Sequence, residues 1–248
     1  MKQKFIINFT PTGLIPTKEM TPSVPLIPEE VVEQVLEVSE LGVNMVHLHA
    51  REPETGVPSY RKEIYAEIIR GIRSKNRALV ISVSTSGRNF FEFEKRAEVL
   101  DLKGELKPDL GSLTLSSLNF NKQASVNSPQ MIQDLAKKMM ENNIRPELEV
   151  FDLGMINYAK YLIRKGFIKP PYYFNLILGN IACAQANMLS LGLMVNELPE
   201  GTIWSAGGVG ERTRLASNRD LVERVLTIAE AMGREPYSQQ ETRELLGV

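Results

Sequence analysis

Asn44–Ala50 (NMVHLHA) and Leu79–Thr85 (LVISVST) are short apolar runs, and Tyr60–Ser74 between them has apolar residues at helical spacing. This order predicts a strand, a helix and a second strand. Two strands connected through a helix lie parallel in one sheet. The stretch therefore predicts a βαβ unit, and the fold class depends on how often that unit is repeated.

The same alternation continues along the rest of the chain. The predicted strands are Phe5–Phe9, Asn44–Ala50, Leu79–Thr85, Leu110–Leu115, Leu148–Asp152, Tyr173–Leu178 and Thr202–Ala206. The predicted helices are Pro28–Leu41, Tyr60–Ser74, Phe90–Leu100, Ser128–Asn142, Met155–Lys165, Cys183–Val195, Asn218–Met232 and Gln239–Leu246. An unbroken series of this kind favours an α/β fold, a (β/α)₈ TIM-type barrel. No linker divides the chain, so we expect residues 1–248 to form a single domain.

Composition excludes several classes of function. The 248 residues carry 29 basic and 30 acidic side chains, a net charge of −1, which provides no electrostatic surface for nucleic acid or an anionic membrane. The single Cys183 allows no internal disulfide. Because no apolar run is long enough to span a membrane and no signal peptide is recognisable, we expect a cytoplasmic protein.

The chain contains two histidines, His47 and His49, both in the second predicted strand. Positions i and i+2 of a strand point to the same face, and barrel enzymes place their active sites at the carboxyl ends of the strands. Two imidazoles on one face are half of a typical metal site. The alternative is that they are hydrogen-bonded barrel residues without a metal.

Polar residues also follow the third strand. Ser82 and Ser84 share a face, and Ser86, Gly87 and Arg88 come after them. Hydroxyls, a glycine and an arginine at a strand end can hold a carboxylate or phosphate. The alternative is an ordinary turn in which Ser86 caps a helix.

The fourth and fifth strands are unusually polar for buried parallel strands. Ser112 and Thr114 share a face of the fourth, and Asn119 follows it. In the fifth, Glu149 would point inward, which is costly for a carboxylate unless it is paired or metal-bound. Glu149 is therefore a candidate third metal ligand or acid–base group; the alternative is a glutamate salt-bridged within the barrel.

These segments together resemble the beta-keto acid cleavage enzymes. The resemblance rests on an ordered set of motifs that covers nearly the whole chain: Thr10-Pro11-Thr12-Gly13, Val46-His47-Leu48-His49-Ala50-Arg51, Pro53-Glu54-Thr55-Gly56, Ser84-Thr85-Ser86-Gly87-Arg88, Ser112–Phe120, Pro146–Asp152, Leu178-Gly179, Leu215–Asn218 and Arg243–Gly247.

The resemblance implies an oligomeric (β/α)₈ barrel, a dimer or tetramer, with one divalent metal, normally Zn²⁺. It implies conversion of a β-keto acid and acetyl-CoA into acetoacetate and a new acyl-CoA. It places the metal on His47 and His49 and keto-acid binding at the third strand, with Ser84 the best match. We expect Glu149 and Ser84 to be catalytic. The expected substrate-binding residues are Thr12, Ser82, Ser84, Ser86, Gly87, Arg88, Ser112 and Asn119.

The sequence departs from the family at one place. Family members carry an eighth strand with a segment V-R-x-G-L-E-D-N, whose glutamate is the third metal ligand, whose aspartate is the candidate base and whose arginine anchors the substrate carboxylate. The seventh helix and the eighth strand have no counterpart here, where Gly210 is followed directly by Glu211. Glu211 matches the loop after the missing strand, so it is not assigned as a ligand.

Three explanations of this gap compete. The protein made in the cell carries residues that this sequence lacks, or it is a natural deletion without activity, or another group such as Glu149 completes the site. The first is favoured, because a barrel without one strand has two unpaired edges and an open core.

The expected function is zinc-dependent β-keto acid cleavage with acetyl-CoA as co-substrate. The alternatives are a metal-assisted barrel lyase of the aldolase type that does not use CoA, and a degenerate barrel that only binds a metal or keto acid.

Overall fold

The computed structural model describes residues 3–208 and 217–248 of the chain. Its helices are α1 (Pro28–Glu40), α2 (Lys62–Lys75), α3 (Phe93–Ala97), α4 (Pro129–Glu141), α5 (Leu153–Arg164), α6 (Met188–Asn196), α7 (Asn218–Ala231) and α8 (Gln239–Leu246). Its strands are β1 (Gln3–Phe5), β2 (Asn8–Phe9), β3 (Met45–Leu48), β4 (Ala50–Arg51), β5 (Pro58–Ser59), β6 (Val80–Val83), β7 (Leu110–Thr114), β8 (Leu118–Asn119), β9 (Ala124–Ser125), β10 (Arg145–Val150), β11 (Tyr173–Leu178), β12 (Ile203–Gly208) and β13 (Arg234–Pro236). Short 3₁₀ turns at Glu98–Asp101 and Gly104–Leu106 follow α3.

The described residues form two compact units. The first comprises residues 3–84, 101–109 and 217–248, and the second comprises residues 85–100 and 110–208. The single-domain organisation expected from the sequence stays a prediction.

The first unit contains three of the parallel strands. β2 pairs with β3, and β3 pairs with β6. A separate parallel pair joins β1 to β13 near the end of the chain. Buried aliphatic side chains on β3, β6, α1 and α2 form the core of this unit: Val35, Val38, Met45, Leu48, Ile69, Ile72 and Ile81.

The second unit contains four parallel strands in the order β7, β10, β11 and β12. A small antiparallel hairpin, β8 and β9, follows β7. Buried side chains of the strands and of α4 and α5 fill its core: Leu113, Ile132, Leu135, Met139, Leu148, Ile156, Leu162, Phe174 and Leu176.

Capping residues explain where several helices begin. Ser128 precedes α4 and its hydroxyl accepts a hydrogen bond from the amide of Met131, while Pro129 occupies the first position, where its missing N–H costs nothing. Ser217 before α7 and Ser238 before α8 form capping boxes with an acidic residue three positions on. These local signals are visible in the sequence, which is why the bounds of these helices were predictable.

The fold class predicted from the sequence is confirmed. Parallel strands alternate with helices, and in the described residues the two units hold three and four of these strands, seven where a complete (β/α)₈ barrel has eight. The proposed gap between Gly210 and Glu211 lies outside the described residues. Among the described helices, none combines the length and apolar character needed to cross a membrane.

Several predicted elements differ from the structure in their bounds: the strand predicted at Leu148–Asp152 is β10 (Arg145–Val150), and α3 (Phe93–Ala97) covers only part of the helix predicted at Phe90–Leu100. Phe5–Phe9 is not one strand, because Phe5 ends β1, which pairs with β13, whereas Phe9 ends β2, which pairs with β3. The helix predicted from Cys183 begins at Met188, because the side chain of Asn187 caps it by accepting a hydrogen bond from the amide of Ser190.

Candidate active site

The two histidines lie at the carboxyl end of β3 in the first unit. His47 is in the strand with 4% of its surface exposed, and His49 follows directly after Leu48. Their ring centroids are 4.9 Å apart, with the planes inclined by 43°. In the parallel register His47 is the partner of Ser82 on β6, so the side chains of this pair share one face of the sheet. The structure therefore brings His47, His49 and Ser82 together at the end of the first unit's strands.

Ser84 follows the end of β6 in the same unit. Its amide donates a hydrogen bond to the carbonyl of Leu48 at 3.0 Å, and its carbonyl accepts one from the Tyr65 hydroxyl at 3.3 Å. Tyr65 is fully buried, and burial raises the pKa of its phenol well above the usual value. Tyr65 thus remains neutral and holds the backbone of Ser84 in place.

Thr12 lies in the loop after β2 and is also buried. Its hydroxyl donates a hydrogen bond to the carbonyl of Gly13 at 3.3 Å. The Gly13 carbonyl in turn accepts a hydrogen bond from the guanidinium of Arg51. Thr12 is therefore held in an ordered loop, and its hydroxyl oxygen keeps its capacity to accept a hydrogen bond.

Arg51 is a residue to which sequence reasoning assigned no role. Its guanidinium is buried and donates to the carbonyls of Gly56 at 2.8 Å and Pro16 at 3.1 Å, in addition to Gly13. Burial lowers the pKa of Arg51. The signal in the sequence was an arginine directly after a predicted buried strand, because a buried charged side chain requires several hydrogen-bond partners.

The loop Ser86-Gly87-Arg88 belongs to the second unit, which begins at Thr85. The hydroxyl of Ser86 accepts a hydrogen bond from the amide of Arg88 at 3.3 Å. The guanidinium carbon of Arg88 lies 3.4 Å from the centre of the Phe120 ring, a close cation–π contact. Burial lowers the pKa of Arg88, and the nearby charge of Glu149 opposes that shift. Arg88 is thus a cation held on an aromatic surface.

Glu149 lies on β10 and is the register partner of Thr114 on β7. Its carboxylate accepts a hydrogen bond from the Thr114 hydroxyl at 2.6 Å. It also acts electrostatically on two guanidinium groups, those of Arg88 and Arg96. The inward carboxylate predicted from the sequence is therefore held by a hydroxyl and balanced by positive charge.

A second inward glutamate belongs to a separate hydrogen-bond chain. Glu147 is completely buried, and its carboxylate accepts a hydrogen bond from the Asn175 amide at 2.9 Å. The amide oxygen of Asn175 accepts one from the Ser205 hydroxyl at 3.3 Å, and that hydroxyl lies 2.9 Å from the hydroxyl of Tyr173. This chain crosses β10, β11 and β12 and explains how the interior tolerates so many polar groups.

Ser112 and Asn119, both expected to bind substrate, occupy different surroundings. Ser112 is buried, its hydroxyl accepts a hydrogen bond from the amide of Thr85 at 3.0 Å, and its carbonyl accepts one from the Thr85 hydroxyl at 2.6 Å. Asn119 is exposed on the β8–β9 hairpin, where it pairs with Ala124. Ser112 therefore supports the loop that begins at Thr85, whereas the side chain of Asn119 is accessible to a ligand.

The donor chemistry of His47 and His49 fits a divalent metal such as zinc. Imidazole is a common zinc ligand, and the two rings adjoin each other at a strand end. In residues 3–208 and 217–248, no group of three or more His, Cys, Asp or Glu side chains is arranged to hold a metal. The histidine pair fits a metal in ligand type and position, but it supplies fewer protein ligands than the three or four of a typical zinc site.

Fold and side chains together define an enzyme of the (β/α)-barrel class. Such enzymes place their reactive groups at the carboxyl ends of the strands. The first unit carries the two imidazoles there, and the second unit carries Glu149 near the carboxyl end of β10. The profile of the family described as beta-keto acid cleavage enzyme matches residues 4–216 and 209–248. The chain belongs to this family.

Several relatives align with 99–100% of the chain. The 3-keto-5-aminohexanoate cleavage enzyme of Fusobacterium nucleatum is 32% identical over 277 positions, covering 100% of this chain and 99% of that protein. The 3-oxoadipate:acetyl-CoA acetyltransferase of Cupriavidus necator is 29% identical, covering 100% and 96%. The 3-dehydrocarnitine:acetyl-CoA trimethylamine transferase of Rhizobium meliloti is 26% identical, covering 99% and 97%.

Among solved structures, ObcA in its apo form superimposes with a TM-score of 0.75 at 16% identity, over 91% of this chain and 66% of its own. At that identity the likeness concerns the fold alone. The chain thus spans about two thirds of ObcA, which has also been solved with oxaloacetate.

The comparisons also bear on the gap seen in the sequence. The alignment with the Fusobacterium enzyme spans 277 positions, more than the 248 residues of this chain, so that relative has residues without a counterpart here. The two profile matches overlap at residues 209–216, where the profile breaks in two. The interruption therefore falls where the seventh helix and eighth strand were missing from the sequence.

Proposed function

We propose that this chain is a metal-dependent β-keto acid cleavage enzyme. It would convert a β-keto acid and acetyl-CoA into acetoacetate and the acyl-CoA of the remaining part of the keto acid. The observation that carries the proposal is membership of the family over nearly the whole chain, together with the retained histidine pair at the end of β3. The names of the relatives support acetyl-CoA as the second substrate.

The first unit would provide the metal site and hydroxyl groups for a keto acid. His47 and His49 would hold Zn²⁺ or another divalent cation, which when bound supplies a Lewis acid for the keto and carboxylate oxygens of the substrate. Ser82, the register partner of His47, and Ser84, two residues further on, would supply hydroxyl groups near these rings. Thr12 would complete the polar lining of this unit. Hydroxyl groups already ordered before the reaction stabilise developing negative charge without a reorganisation cost.

The second unit carries groups that would suit a carboxylate and a proton transfer. The loop Ser86-Gly87-Arg88 offers a hydroxyl, backbone amides and a guanidinium, groups that suit a carboxylate. Glu149, held by Thr114, is the candidate acid–base group for the proton at C2 of the keto acid. Asn119 on the β8–β9 hairpin would contact the substrate. Ser112 would hold the loop that begins at Thr85 through its two hydrogen bonds to Thr85.

The reaction can be followed with labelled acetyl-CoA. The purified chain is supplied with Zn²⁺, a panel of β-keto acids and acetyl-CoA labelled with ¹³C in both acetyl carbons. The proposal expects the label at C3 and C4 of acetoacetate, because C2 and C1 come from the keto acid, and an unlabelled acyl-CoA of corresponding size. Cleavage without acetyl-CoA would favour the aldolase-type lyase. Metal-free protein that is inert towards every keto acid would favour the degenerate barrel.

We further propose a cytoplasmic homo-oligomer, a dimer or a tetramer. The single Cys183 allows no internal disulfide, which suits a reducing compartment. Sedimentation velocity of the purified chain measures the subunit number directly, and a monomer at micromolar concentration would contradict this part of the proposal.

A further inference from the structure

Arg96 is a buried cation in the second unit that the reaction described above does not use. It lies in α3 with 3% of its surface exposed. Its Nε donates to the carbonyl of Thr85 at 2.9 Å, its Nη1 to the carbonyl of Val126 at 3.0 Å and its Nη2 to the amide oxygen of Asn127 at 2.7 Å. Every nitrogen of the guanidinium is thus committed to the backbone or side chain of a strand-end loop.

Asn127 extends these contacts to the loops that follow β7. Its amide donates to the hydroxyl of Ser117 at 2.8 Å, and its side-chain amide donates to the carbonyl of Ser116 at 3.0 Å and the hydroxyl of Ser125 at 3.2 Å. Arg96 and Asn127 therefore connect the loop that begins at Thr85 to the β8–β9 hairpin.

Gly87 lies directly against this cation. A Cβ on Gly87 would be 2.4 Å from the Val126 carbonyl oxygen and 2.7 Å from Nη1 of Arg96. The Gly87 carbonyl accepts a hydrogen bond from the amide of Val126 at 3.1 Å. The absence of a side chain at position 87 is therefore what allows the loop to approach the guanidinium.

The charge of Arg96 is not neutralised by an ion pair. Its three acceptors are two carbonyls and an amide, and in the described part of the chain no carboxylate lies within ion-pair distance of it. Burial lowers the pKa of Arg96 to about 10, and the more distant Glu149 opposes that shift, so the group remains charged at neutral pH. A buried charge that makes no direct ion pair is costly, and a neutral side chain would be cheaper for stability alone.

We propose that Arg96 is a positioning residue that holds the Ser86-Gly87-Arg88 loop in its substrate-binding form and gives that loop a positive potential for the keto-acid carboxylate. It acts through Thr85 and Gly87 and does not touch the substrate itself. The inference rests on the proposed function, since it assigns the loop to the substrate carboxylate. It goes further because Arg96, which does not contact the substrate, would make the loop selective for an anion.

Two substitutions separate geometry from charge. Arg96→Lys keeps the charge, but a single ammonium cannot replace the planar fork that reaches three acceptors. Arg96→Met removes both the charge and the hydrogen-bond donors of the guanidinium. We expect KM for the keto acid to rise at least tenfold in Arg96→Met and less in Arg96→Lys, with KM for acetyl-CoA within twofold of the wild type. Arg77→Met, at an exposed arginine paired with Glu105, serves as the control and should leave both constants unchanged.

A neutral substrate analogue distinguishes this role from a merely structural one. The methyl ester of the keto acid lacks the carboxylate charge, so the preference for acid over ester should fall in Arg96→Met and persist in Arg96→Lys. A parallel loss for acid and ester, or unchanged KM and unchanged preference, would overturn the proposal.

Two further measurements keep the test decisive. If Arg96→Met does not fold, Gly87→Ala displaces the same loop by steric conflict and should also raise KM for the keto acid. Titration calorimetry with the keto acid alone needs no turnover. A wild type that binds the keto acid without cleaving it would contradict the proposed function, while the affinities of the variants would still decide the role of Arg96.

Discussion

The carboxylate of Glu149 accepts a 2.6 Å hydrogen bond from the hydroxyl of Thr114, its register partner on the neighbouring strand. The pair combines a charged acceptor with a neutral donor, and Arg88 acts on the carboxylate electrostatically. A hydrogen bond to a charged group contributes about 1.5–3 kcal/mol, enough to fix the orientation of the carboxylate. Glu149 is thus an ordered anion at a strand end, as a catalytic acid–base group requires.

Glu149→Gln should abolish most of the activity, and Thr114→Val should reduce it by a smaller factor. The glutamine cannot take up a proton, so kcat should fall at least roughly 100-fold, within the range attributed to general acid–base catalysis. The valine leaves the carboxylate in place without its partner, and a loss of about tenfold is expected from the weaker hydrogen bonding. Steady-state assays of acetoacetate formation measure both effects.

Thr227→Val is a suitable control for the second substitution. Thr227 also donates a hydroxyl hydrogen bond, to the Glu223 carbonyl at 2.9 Å, but on the exposed surface of α7. A Glu149→Gln protein with unchanged kcat would remove Glu149 from the acid–base role.

Removal of the metal that we propose to be held by His47 and His49 should stop the reaction. Dialysis against a chelator is expected to abolish acetoacetate formation, and added Zn²⁺ should restore it. His47→Ala and His49→Ala should each lower the zinc content measured by mass spectrometry by at least tenfold, because each removes a protein ligand. Cys183→Ser is the control, since the protonated thiol of Cys183 is a poor ligand and its loss should leave the zinc content unchanged. Full metal content and activity in His47→Ala would show that the site assignment is wrong.

Much of the fold could be predicted because local patterns determine it. Tyr173–Leu178 has the same bounds in sequence and structure, since the run of apolar and aromatic residues ends at a glycine. The division of Phe5–Phe9 could not be seen, because β1 pairs with Arg234–Pro236 from the far end of the chain. Such long-range pairing leaves no periodic signal in the segment itself.

Some residues of the candidate site could likewise be predicted from the sequence, and others could not. The histidines were recognisable because alternate strand positions share a face. Arg51 and Arg96 were not recognised, because their partners are mostly backbone carbonyls, which every residue possesses. Their function depends on where distant loops meet, and residue types alone do not encode that.

Low pH should loosen the attachment of α8 in the first unit. The hydrogen bond from Lys4, together with that from the Ser238 amide, lowers the pKa of Glu241 to about 2, below the roughly 4.3 of an unfolded glutamate. A depressed carboxyl pKa contributes stability that is present above pH about 4.3 and is lost as pH falls towards 2. The melting temperature of the wild type should therefore exceed that of Glu241→Gln at pH 6, and the difference should shrink between pH 5 and pH 2.

Glu230→Gln provides the matched substitution at an exposed glutamate of α7 and should follow the wild-type curve. A difference between wild type and Glu241→Gln that stays constant down to pH 2 would contradict the assignment of this stability to the ionised carboxylate.

The intact mass of the protein bears on the missing helix and strand. If the polypeptide made in its own cells carries residues that this sequence lacks, its mass will exceed 27.9 kDa, which is the outcome we expect. Agreement with 27.9 kDa would instead make the shortened barrel a property of the protein.

The second unit shows what the missing residues would cover. Met188 and Leu189 at the start of α6 are 81% and 73% exposed, and Trp204 on β12 is 43% exposed, although all three are large and apolar. In the described residues β12 pairs with β11 alone. An apolar surface of this kind is unfavourable in water unless something packs on it.

Insertion of the corresponding segment of the Fusobacterium enzyme between Gly210 and Glu211 should cover that surface. Trp204 is the single tryptophan of the chain, so its fluorescence reports on this place alone. We expect the emission maximum to shift to the blue, the binding of an apolar dye to fall and the melting temperature to rise, because apolar area is removed from water. An insertion of equal length made of glycine and serine controls for chain length and should produce none of these changes. An emission maximum that is the same in the two insertion proteins would show that the relative's segment does not pack against α6 and β12.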